Sequence, residues 1–271
     1  MGKGTLVKRT VSGVLFVAVV VAGLLHPVAT LALTLLLAVG LSREFYQLAS
    51  RRRYRKEEIL VVAAIVLTLA LFFGSRVQGA IPAAYLLLGA LPVLLAFICQ
   101  LFDGAPGPEF VTEPYFPLVY ILPALLSLLC FPWRISLGLF VILWCSDIGA
   151  YCLGMLLGQR EGGRKLFPAL SPKKSWAGVL GGALFAFLAA WGYGALWGAP
   201  ALPLVHWFAL SLLVLLFGIP GDLFESLIKR HAGVKDAGTL IPGHGGLLDR
   251  FDDFLFVAPA AFLYLKLFSL L

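Results

Sequence analysis

The chain has little charge, and acidic side chains are the scarcer kind. Only 13% of its 271 residues are Asp, Glu, Lys or Arg, and 14 residues are acids. Soluble domains average about 25% charged and about 45–50% apolar residues, whereas 61% of this chain is hydrophobic. This balance excludes an ordinary soluble domain and favours a membrane protein.

Several familiar catalytic and metal-binding motifs are also absent. The chain contains no Walker A loop, no GxSxG elbow and no HExxH helix, so the enzyme classes built on them are not indicated. We expect the cysteines to be small buried side chains rather than disulfide or zinc ligands. They form no CxxC pair and stand in apolar runs, at Cys99, Cys130, Cys145 and Cys152.

Apolar runs of about 17–25 residues recur along the chain, long enough for helices across a hydrocarbon core of about 30 Å. We therefore predict an all-α, polytopic integral membrane protein, with one transmembrane catalytic domain over residues 1–271 and no internal repeat. Residues 1–115 supply N-terminal helices and a basic interfacial segment, and residues 135–253 supply the catalytic helices and loops. Nine spans are predicted, at residues 11–25, 27–42, 58–75, 79–101, 116–131, 135–157, 175–197, 203–219 and 251–271.

The basic residues predict which end of the bundle faces the cytoplasm, because cytoplasmic loops carry an excess of Lys and Arg. With nine spans and the N-terminus inside, 18 of the 21 Lys and Arg residues fall on the cytoplasmic side. Only Arg76, Arg134 and Lys266 fall elsewhere. We therefore predict an N-in, C-out topology. The net charge of +7 also suits a surface that meets anionic lipid headgroups and nucleotide phosphates.

One carboxylate lies in the middle of a predicted span. Asp147 stands in the sixth span with apolar residues on both sides, and Tyr151 follows one helical turn later. A charged side chain at this depth is costly unless it faces a polar cavity, a cation or a base. We favour a functional role for Asp147 over an ion pair that serves packing alone.

A basic loop separates the sixth and seventh spans. Its glycines let backbone amides approach an anion, and its bases would neutralise that anion. Ser171 and Pro172 also suit the N-cap and the first residue of the next helix. An ordinary positive-inside loop is the alternative to a phosphate site. The bases of the loop are Arg160, Arg164, Lys165, Lys173 and Lys174.

The densest polar segment lies between the last two spans. Residues 226–253 contain four acids, four bases, two histidines and five glycines, which are costly beside lipid. Just before this segment, Gly218, Pro220 and Gly221 are expected to break or kink the eighth span. A polar stripe at helical spacing follows, formed by Asp222, Glu225, Ser226 and Lys229.

Three carboxylates, Asp147, Asp222 and Asp249, are expected to meet at the cytoplasmic end. Hard oxygen ligands without a Cys–His pattern indicate Mg²⁺ rather than Zn²⁺. Carboxylate-held Mg²⁺ with nearby Lys and Arg suits phosphoryl or nucleotidyl transfer, because the transition state spreads negative charge over phosphate oxygens. His244, in a glycine turn, is either an acid–base or phosphate-binding group or a structural residue.

The polar segment contains the pattern Ser226-x-x-Lys229-Arg230-x-x-x-x-Lys235-Asp236-x-Gly238-x-x-Ile241-Pro242-x-His244-Gly245-Gly246-x-x-Asp249-Arg250-x-Asp252. It resembles the signature of phosphatidate cytidylyltransferases, also called CDP-diacylglycerol synthases, and the chain looks like a bacterial member. The segments around Asp147 and Ser171 are also similar to that family. One departure is Ala177, which stands where the family commonly has Glu.

The resemblance implies a reaction in which CTP and phosphatidate give CDP-diacylglycerol and pyrophosphate, for phospholipid synthesis. It implies Mg²⁺ as cofactor, with the number of metal ions left open, and an active site on the cytoplasmic side of the cell membrane. CTP, phosphatidate and membrane lipids are the expected partners, and nucleic acid is not. Glycine-rich helix faces permit a homodimer.

The resemblance also implies roles for individual residues. Asp222 and Asp249 would bind Mg²⁺, with Asp147 as a third ligand, either direct or through water. The bases would be oriented by Asp236, Asp252 and Asp253. The triphosphate and the lipid phosphate would be held by Lys229, Arg230, Lys235 and Arg250. Further phosphate contacts are expected from Ser171, Lys173, Lys174, Ser226, Gly245 and Gly246.

Two other functions are compatible with parts of the sequence. A CTP-dependent transferase could act on an isoprenoid lipid instead, since acceptor choice depends on the shape of an apolar pocket. An ion-coupled transporter would use Asp147 and Asp222 on kinked helices. The concentration of polar residues at one membrane face argues against a transporter, which needs access from both faces.

Overall fold

The structure, a computed structural model, describes residues 3–49, 55–77, 116–158, 164–168, 170–198 and 201–271. The predicted span 79–101 and Arg160 lie outside these residues. Among the described residues the elements are almost all helical. They are α1 (Lys3–Leu24), α2 (Pro27–Ala49), α3 (Arg55–Val77), α4 (Phe116–Tyr120), α5 (Leu122–Cys130), α6 (Trp133–Leu153), α7 (Trp176–Tyr193), α8 (Leu204–Leu213), α9 (Ile219–His231) and α10 (Leu248–Leu267).

Five helical segments of the described ranges are long and apolar enough to cross a membrane. Two shorter apolar helices accompany them, at Glu58–Gly74 and Phe116–Cys130. The prediction of a helical membrane protein is confirmed, whereas the count of nine spans and the N-in orientation stay predictions. The five segments are Val7–Leu24, Pro27–Leu48, Trp133–Gly158, Trp176–Trp197 and Leu204–His231.

The eighth predicted span does not break at its proline. Helix α8 runs into a π-helical turn, Val214–Gly218, which leads directly into α9. Pro220 lies in the first turn of α9, where a missing N–H is tolerated. The preceding turn widens to π geometry, so the chain stays helical from Leu204 to His231, and the polar stripe continues the same rod.

A small hairpin replaces part of the predicted basic loop. Strands β1 (Lys165–Phe167) and β2 (Ser171–Ser175) pair antiparallel. The expectation that Ser171 caps the next helix is therefore wrong. Ser175 is the N-cap of α7, and its hydroxyl accepts a hydrogen bond from the Gly178 N–H at 3.2 Å. Residues Ser171–Ser175 stay extended because they pair with β1. The local sequence pattern does not reveal this pairing.

Helix α10 is the central helix of the described bundle, and it packs against α2, α5, α6, α8 and α9. Its Phe254 stacks on Phe140 of α6, with ring centroids 4.8 Å apart. A second aromatic group joins Phe45 of α2 to Phe116 of α4 at 5.5 Å, and Phe116 packs on Phe224 of α9. These buried rings fix the helices that carry the polar stripe.

Glycines let α6 and α7 cross at backbone distance. A Cβ atom on Gly181 would stand 2.3 Å from the carbonyl oxygen of Gly149. We therefore expect Gly181→Ala to lower the free energy of unfolding by about 1–3 kcal/mol, because backbone cannot move aside cheaply. Thermal unfolding of the detergent-solubilised protein measures this effect.

The matched control is Gly192→Ala in the same helix, where an added Cβ meets nothing within 4 Å. It should be neutral or stabilise by about 0.5–1 kcal/mol, since alanine favours helices. Equal unfolding midpoints for the two variants would contradict the close crossing.

Candidate active site

The N-terminal end of α9 lies very close to α10, because two glycines line the contact. A Cβ atom on Gly221 would stand 2.7 Å from the carbonyl oxygen of Asp252, and one on Gly218 would stand 3.6 Å from the Asp253 carboxylate carbon. The close approach brings the acids of α9 beside the acids of α10.

Asp222, Glu225 and Asp252 form an acidic cluster, in which one carboxylate oxygen from each lies within 4.8 Å of the others. Glu225 is fully buried, and no donor in the described part of the chain hydrogen-bonds to its Oε1. Hard oxygen donors that converge around an unsatisfied buried carboxylate suit a divalent cation such as Mg²⁺. Of the three predicted metal ligands, Asp222 alone belongs to this cluster.

Lys229 connects α9 to α10 through two carboxylates. Its ammonium group forms an ion pair with Glu225 one turn earlier and lies 2.7 Å from Oδ1 of Asp249. Only 12% of the Lys229 side chain is exposed. The charge of Lys229 is thus already compensated by Glu225 and Asp249. Its predicted role in phosphate binding stays a prediction.

Asp249 also organises the glycine-rich loop before α10. Its Oδ2 accepts hydrogen bonds from the backbone N–H groups of Ala237 at 2.9 Å and Gly246 at 2.7 Å. Burial raises the pKa of Asp249, but the hydrogen bonds from Lys229 and Gly246 outweigh it, and the pKa is lowered overall. Both carboxylate oxygens of Asp249 thus accept hydrogen bonds. These contacts do not test the predicted role of Asp249 in metal binding or the predicted role of Gly246 in phosphate binding.

A cavity of about 340 Å³ brings much of the predicted site together. Lys174 projects from β2 into it and pairs with Asp222 at 2.5 Å. Ser226 supports the same carboxylate, with its hydroxyl 3.4 Å from Oδ1. Tyr151 and the small residues of α7 complete one wall. The predicted residues that line this cavity are Asp147, Ser171, Lys173, Lys174 and Asp222.

A second cavity, of about 250 Å³, shares Asp147 with the first. His244, Asp249 and Arg250 line it, with Asp252. Burial and the positive charges of Arg250 and Arg9 lower the pKa of His244. Acids of α6, α9 and α10 and several of the predicted bases therefore line one or other of the two cavities.

The glycine turn at Gly243 and Gly245, both at positive φ, is held by the first helix. The Ser12 hydroxyl of α1 lies 2.9 Å from Nδ1 of His244 and 2.9 Å from the carbonyl oxygen of Pro242. The Arg250 guanidinium donates to the carbonyl oxygen of His244 at 3.0 Å. His244 is thus bonded on several sides, which suits a structural role as well as a chemical one.

Seven predicted site residues line neither cavity: Ser226 and Lys229 on α9, Gly245 and Gly246 in the glycine-rich loop, and Arg230, Lys235 and Asp236. Arg230, Lys235 and Asp236 lie exposed at and beyond the end of α9. The Arg230 guanidinium donates instead to the Val234 carbonyl oxygen at 3.3 Å. The predicted phosphate contacts of Arg230 and Lys235, and the predicted role of Asp236 in orienting the bases, stay predictions.

Sequence reasoning gave no metal role to Glu225 or Asp252, although a weak signal was present. Glu225 follows Asp222 by three residues on one helix, and Asp252 follows Asp249 by the same spacing. Which face of each helix meets the other depends on the glycine contact, so spacing alone could not select the cluster.

Lys229 provides a test of the buried charges. Lys229→Met leaves Glu225 buried without its partner, so we expect a loss of about 3–5 kcal/mol in unfolding free energy. Adding Glu225→Gln should restore part of the loss, because the uncompensated charge disappears. Chemical unfolding in detergent measures both variants.

The control is Arg230→Met, at the neighbouring exposed position, which should change stability by no more than about 0.5 kcal/mol. If Lys229→Met were as stable as this control, Lys229 would not carry the contact between α9 and α10.

Comparison with known proteins finds cytidylyltransferases, both as a family model and as individual relatives. The model of the cytidylyltransferase family matches residues 7–268. The phosphatidate cytidylyltransferase of Bacillus subtilis is 44% identical over 129 residues, which cover 48% of this chain and 46% of the relative. Those of Staphylococcus epidermidis and Staphylococcus aureus are 44% and 43% identical, over 46% and 44% of each chain. The matched stretch thus spans about half the length of these curated relatives.

Proposed function

The chain belongs to the cytidylyltransferase family, and from that premise we propose that it is a phosphatidate cytidylyltransferase. It transfers the cytidylyl group of CTP to phosphatidate and releases pyrophosphate, for phospholipid synthesis. Phosphatidate is the acceptor in the printed names of the relatives in Bacillus and Staphylococcus, and the chain's own geometry supports the site.

The observation that carries this proposal is the first cavity. It combines the carboxylates Asp147 and Asp222 with the ammonium groups Lys173 and Lys174. Its walls come from helices whose outer faces are apolar, with Leu180 69% exposed. A phosphate group on a lipid requires this combination of charge and apolar surroundings, since its acyl chains stay in the bilayer.

The reaction needs little acid–base chemistry. A phosphate oxygen of phosphatidate attacks the α-phosphorus of CTP and forms a new P–O bond. The bond from the α-phosphorus to the bridging oxygen breaks, and pyrophosphate leaves with the electron pair. A phosphate monoester is already anionic near neutral pH, so the chain has to orient and neutralise phosphates rather than supply a strong base.

The bases near the two cavities perform that task. Lys173 and Lys174 neutralise phosphate charge in the first cavity, and Arg250 does so in the second. Lys174 exchanges its contact with Asp222 for phosphate oxygens when substrate binds. Asp147 lines both cavities, so it lies where the two substrates meet.

The acidic cluster fits the Mg²⁺ that this reaction class uses. Asp222, Glu225 and Asp252 would hold the ion, and Glu225 Oε1 offers a buried oxygen that no described donor satisfies. Bound there, Mg²⁺ supplies positive charge for the phosphate oxygens. We propose this set in preference to Asp147, Asp222 and Asp249, because the Asp249 oxygens already accept from Lys229, Ala237 and Gly246.

The site belongs at the cytoplasmic end of the bundle. In the predicted topology Asp222, Glu225, Lys174 and the loop at 237–247 fall on the side that carries 18 of the 21 Lys and Arg residues. The positive-inside rule places such an end in the cytoplasm, where CTP is available.

The function is tested by pyrophosphate release from the purified protein in mixed micelles, with CTP, Mg²⁺ and phosphatidate omitted one at a time. We expect release only when all three are present, together with a CDP-lipid product. Release with an isoprenoid phosphate but not with phosphatidate would change the acceptor. Absence of release with either lipid, in folded protein, would contradict the transferase and point to Ala177 as a missing ligand.

The metal assignment is tested separately by Mn²⁺ binding, measured by paramagnetic resonance without substrate. Glu225→Gln should weaken Mn²⁺ binding by at least about 10- to 100-fold, the loss typical of changing a group that only supports a metal ligand, because it replaces a charged ligand oxygen. Glu58→Gln, on α3 and outside the cluster, should bind as the wild type does.

Asp249→Asn distinguishes the two ligand sets. If the acidic cluster holds the ion, this variant keeps most of the Mn²⁺ affinity. A loss as large as that of Glu225→Gln would return Asp249 to the ligands and overturn the assignment.

A further inference from the structure

Glu44 is a buried acid that no step of the proposed reaction uses. It lies on α2, between Arg43 and Phe45, and is 5% exposed. Burying a charged side chain is costly unless it is hydrogen-bonded or paired. Its partner is a backbone group 204 residues away, because Oε2 accepts from the Leu248 N–H at 2.7 Å.

That N–H is at the beginning of α10, which lacks a cap of its own. Leu247 occupies the N-cap position and has no side chain that accepts a hydrogen bond. Helices usually satisfy their first N–H groups with a local Ser, Thr, Asp or Asn. Here α2 supplies the acceptor instead, and its negative charge also suits the positive end of the helix dipole.

The same carboxylate is packed between two glycines of the loop. A Cβ atom on Gly238 would stand 2.6 Å from Oε1 of Glu44, and one on Gly246 would stand 2.5 Å from Oε2. Neither glycine has a positive φ, so space for the carboxylate accounts for them. Glu44 thus contacts both sides of the loop at 237–247 and the first turn of α10.

Glu44 is carried by a rigid part of the fold. Its neighbour Phe45 is fully buried and stacks on Phe116, which packs on Phe224 of α9. The position of the carboxylate relative to α9 is therefore set by aromatic packing. The first turn of α10, held by Glu44, carries Asp249 and leads to Asp252.

We infer that Glu44 is a positioning residue for the active site. It fixes the start of α10 and the preceding loop, so that Asp249 and Asp252 face Lys229 and Glu225. It acts through these groups and contacts no reacting atom. The inference rests on the proposed function for its effect on turnover, but the effect on the loop is independent of that function.

Hydrogen exchange tests the contact directly. In Glu44→Ala the amides at the start of α10 should exchange at least about tenfold faster, because the Leu248 N–H loses its acceptor. Exchange in α8 and in the second half of α10 should match the wild type. A residue needed only for global stability would raise exchange in all helices alike, and that outcome would overturn the inference.

Turnover gives the second readout. In folded Glu44→Ala we expect kcat to fall on the order of 100-fold, since a shift of about 1 Å in a catalytic group has this effect. KM for CTP should change much less, because the bases that hold phosphate remain. The isosteric Glu44→Gln, which keeps an acceptor oxygen, should fall between Glu44→Ala and the wild type. An unchanged kcat in Glu44→Ala would overturn the inference.

Ser42→Ala is the matched control on the same helix. Ser42 is fully buried, and its hydroxyl has no hydrogen-bond partner among the described residues. The control should keep the kcat and the local exchange rates of the wild type. If it changed them as Glu44→Ala does, a general defect of α2 would explain both, and the inference would fail.

Gly238→Ala approaches the same contact from the loop and remains informative if Glu44→Ala does not fold. The added Cβ displaces the carboxylate, so local exchange should rise and kcat should fall. In the double variant with Glu44→Ala the clash is gone, so kcat should equal that of Glu44→Ala alone. Independent, multiplying effects would show that the two residues do not act through one contact. If the wild type released no pyrophosphate, exchange alone would still decide the inference.

Discussion

The described site depends on the two ion pairs of Lys229, whose ammonium group lies between the carboxylates of Glu225 and Asp249. A buried carboxylate such as Glu225 is costly without a cation, and Lys229 lies one helical turn away. Its second partner, Asp249, begins α10 and accepts from two amides of the glycine-rich loop. One charge therefore couples α9, α10 and the loop, and the geometry of the acidic cluster follows from that coupling.

Glycine determines how close these charges come. Gly218 and Gly221 let α9 approach α10, and Gly149 and Gly181 let α6 approach α7. Small residues serve this purpose in membrane bundles, where close packing replaces the hydrophobic effect between helices. The result is a polar interior with two cavities that Asp147 lines in common, enclosed by helices that are apolar outside.

Contacts from the first two helices extend the site beyond the segment that carries most of its charge. Ser12 of α1 lies against His244, and Glu44 of α2 caps α10. Residues 1–115 were predicted to supply N-terminal helices and a basic interfacial segment. Their contacts with the loop at 237–247 support a larger contribution, in which the N-terminal helices position groups that α9 and α10 provide.

The long helices were predictable, because apolar runs of membrane length have few alternatives to helix. Local breaks were less predictable. Gly218, Pro220 and Gly221 were expected to break or kink the helix, but the chain stays helical through a π-helical turn, and Ser175 rather than Ser171 caps α7. In both places the outcome depends on neighbouring backbone, which a local pattern does not contain.

Sequence alone determined the membrane class, the polar stripe on α9 and the residue types from which the site is built. These follow from composition and helical spacing, which are local properties. Only the tertiary structure decided that Glu225 and Asp252 join Asp222, that Asp249 accepts from the Ala237 amide, and that Glu44 caps α10. Each of these contacts joins separate elements, and which faces meet depends on side-chain volume at the helix crossings.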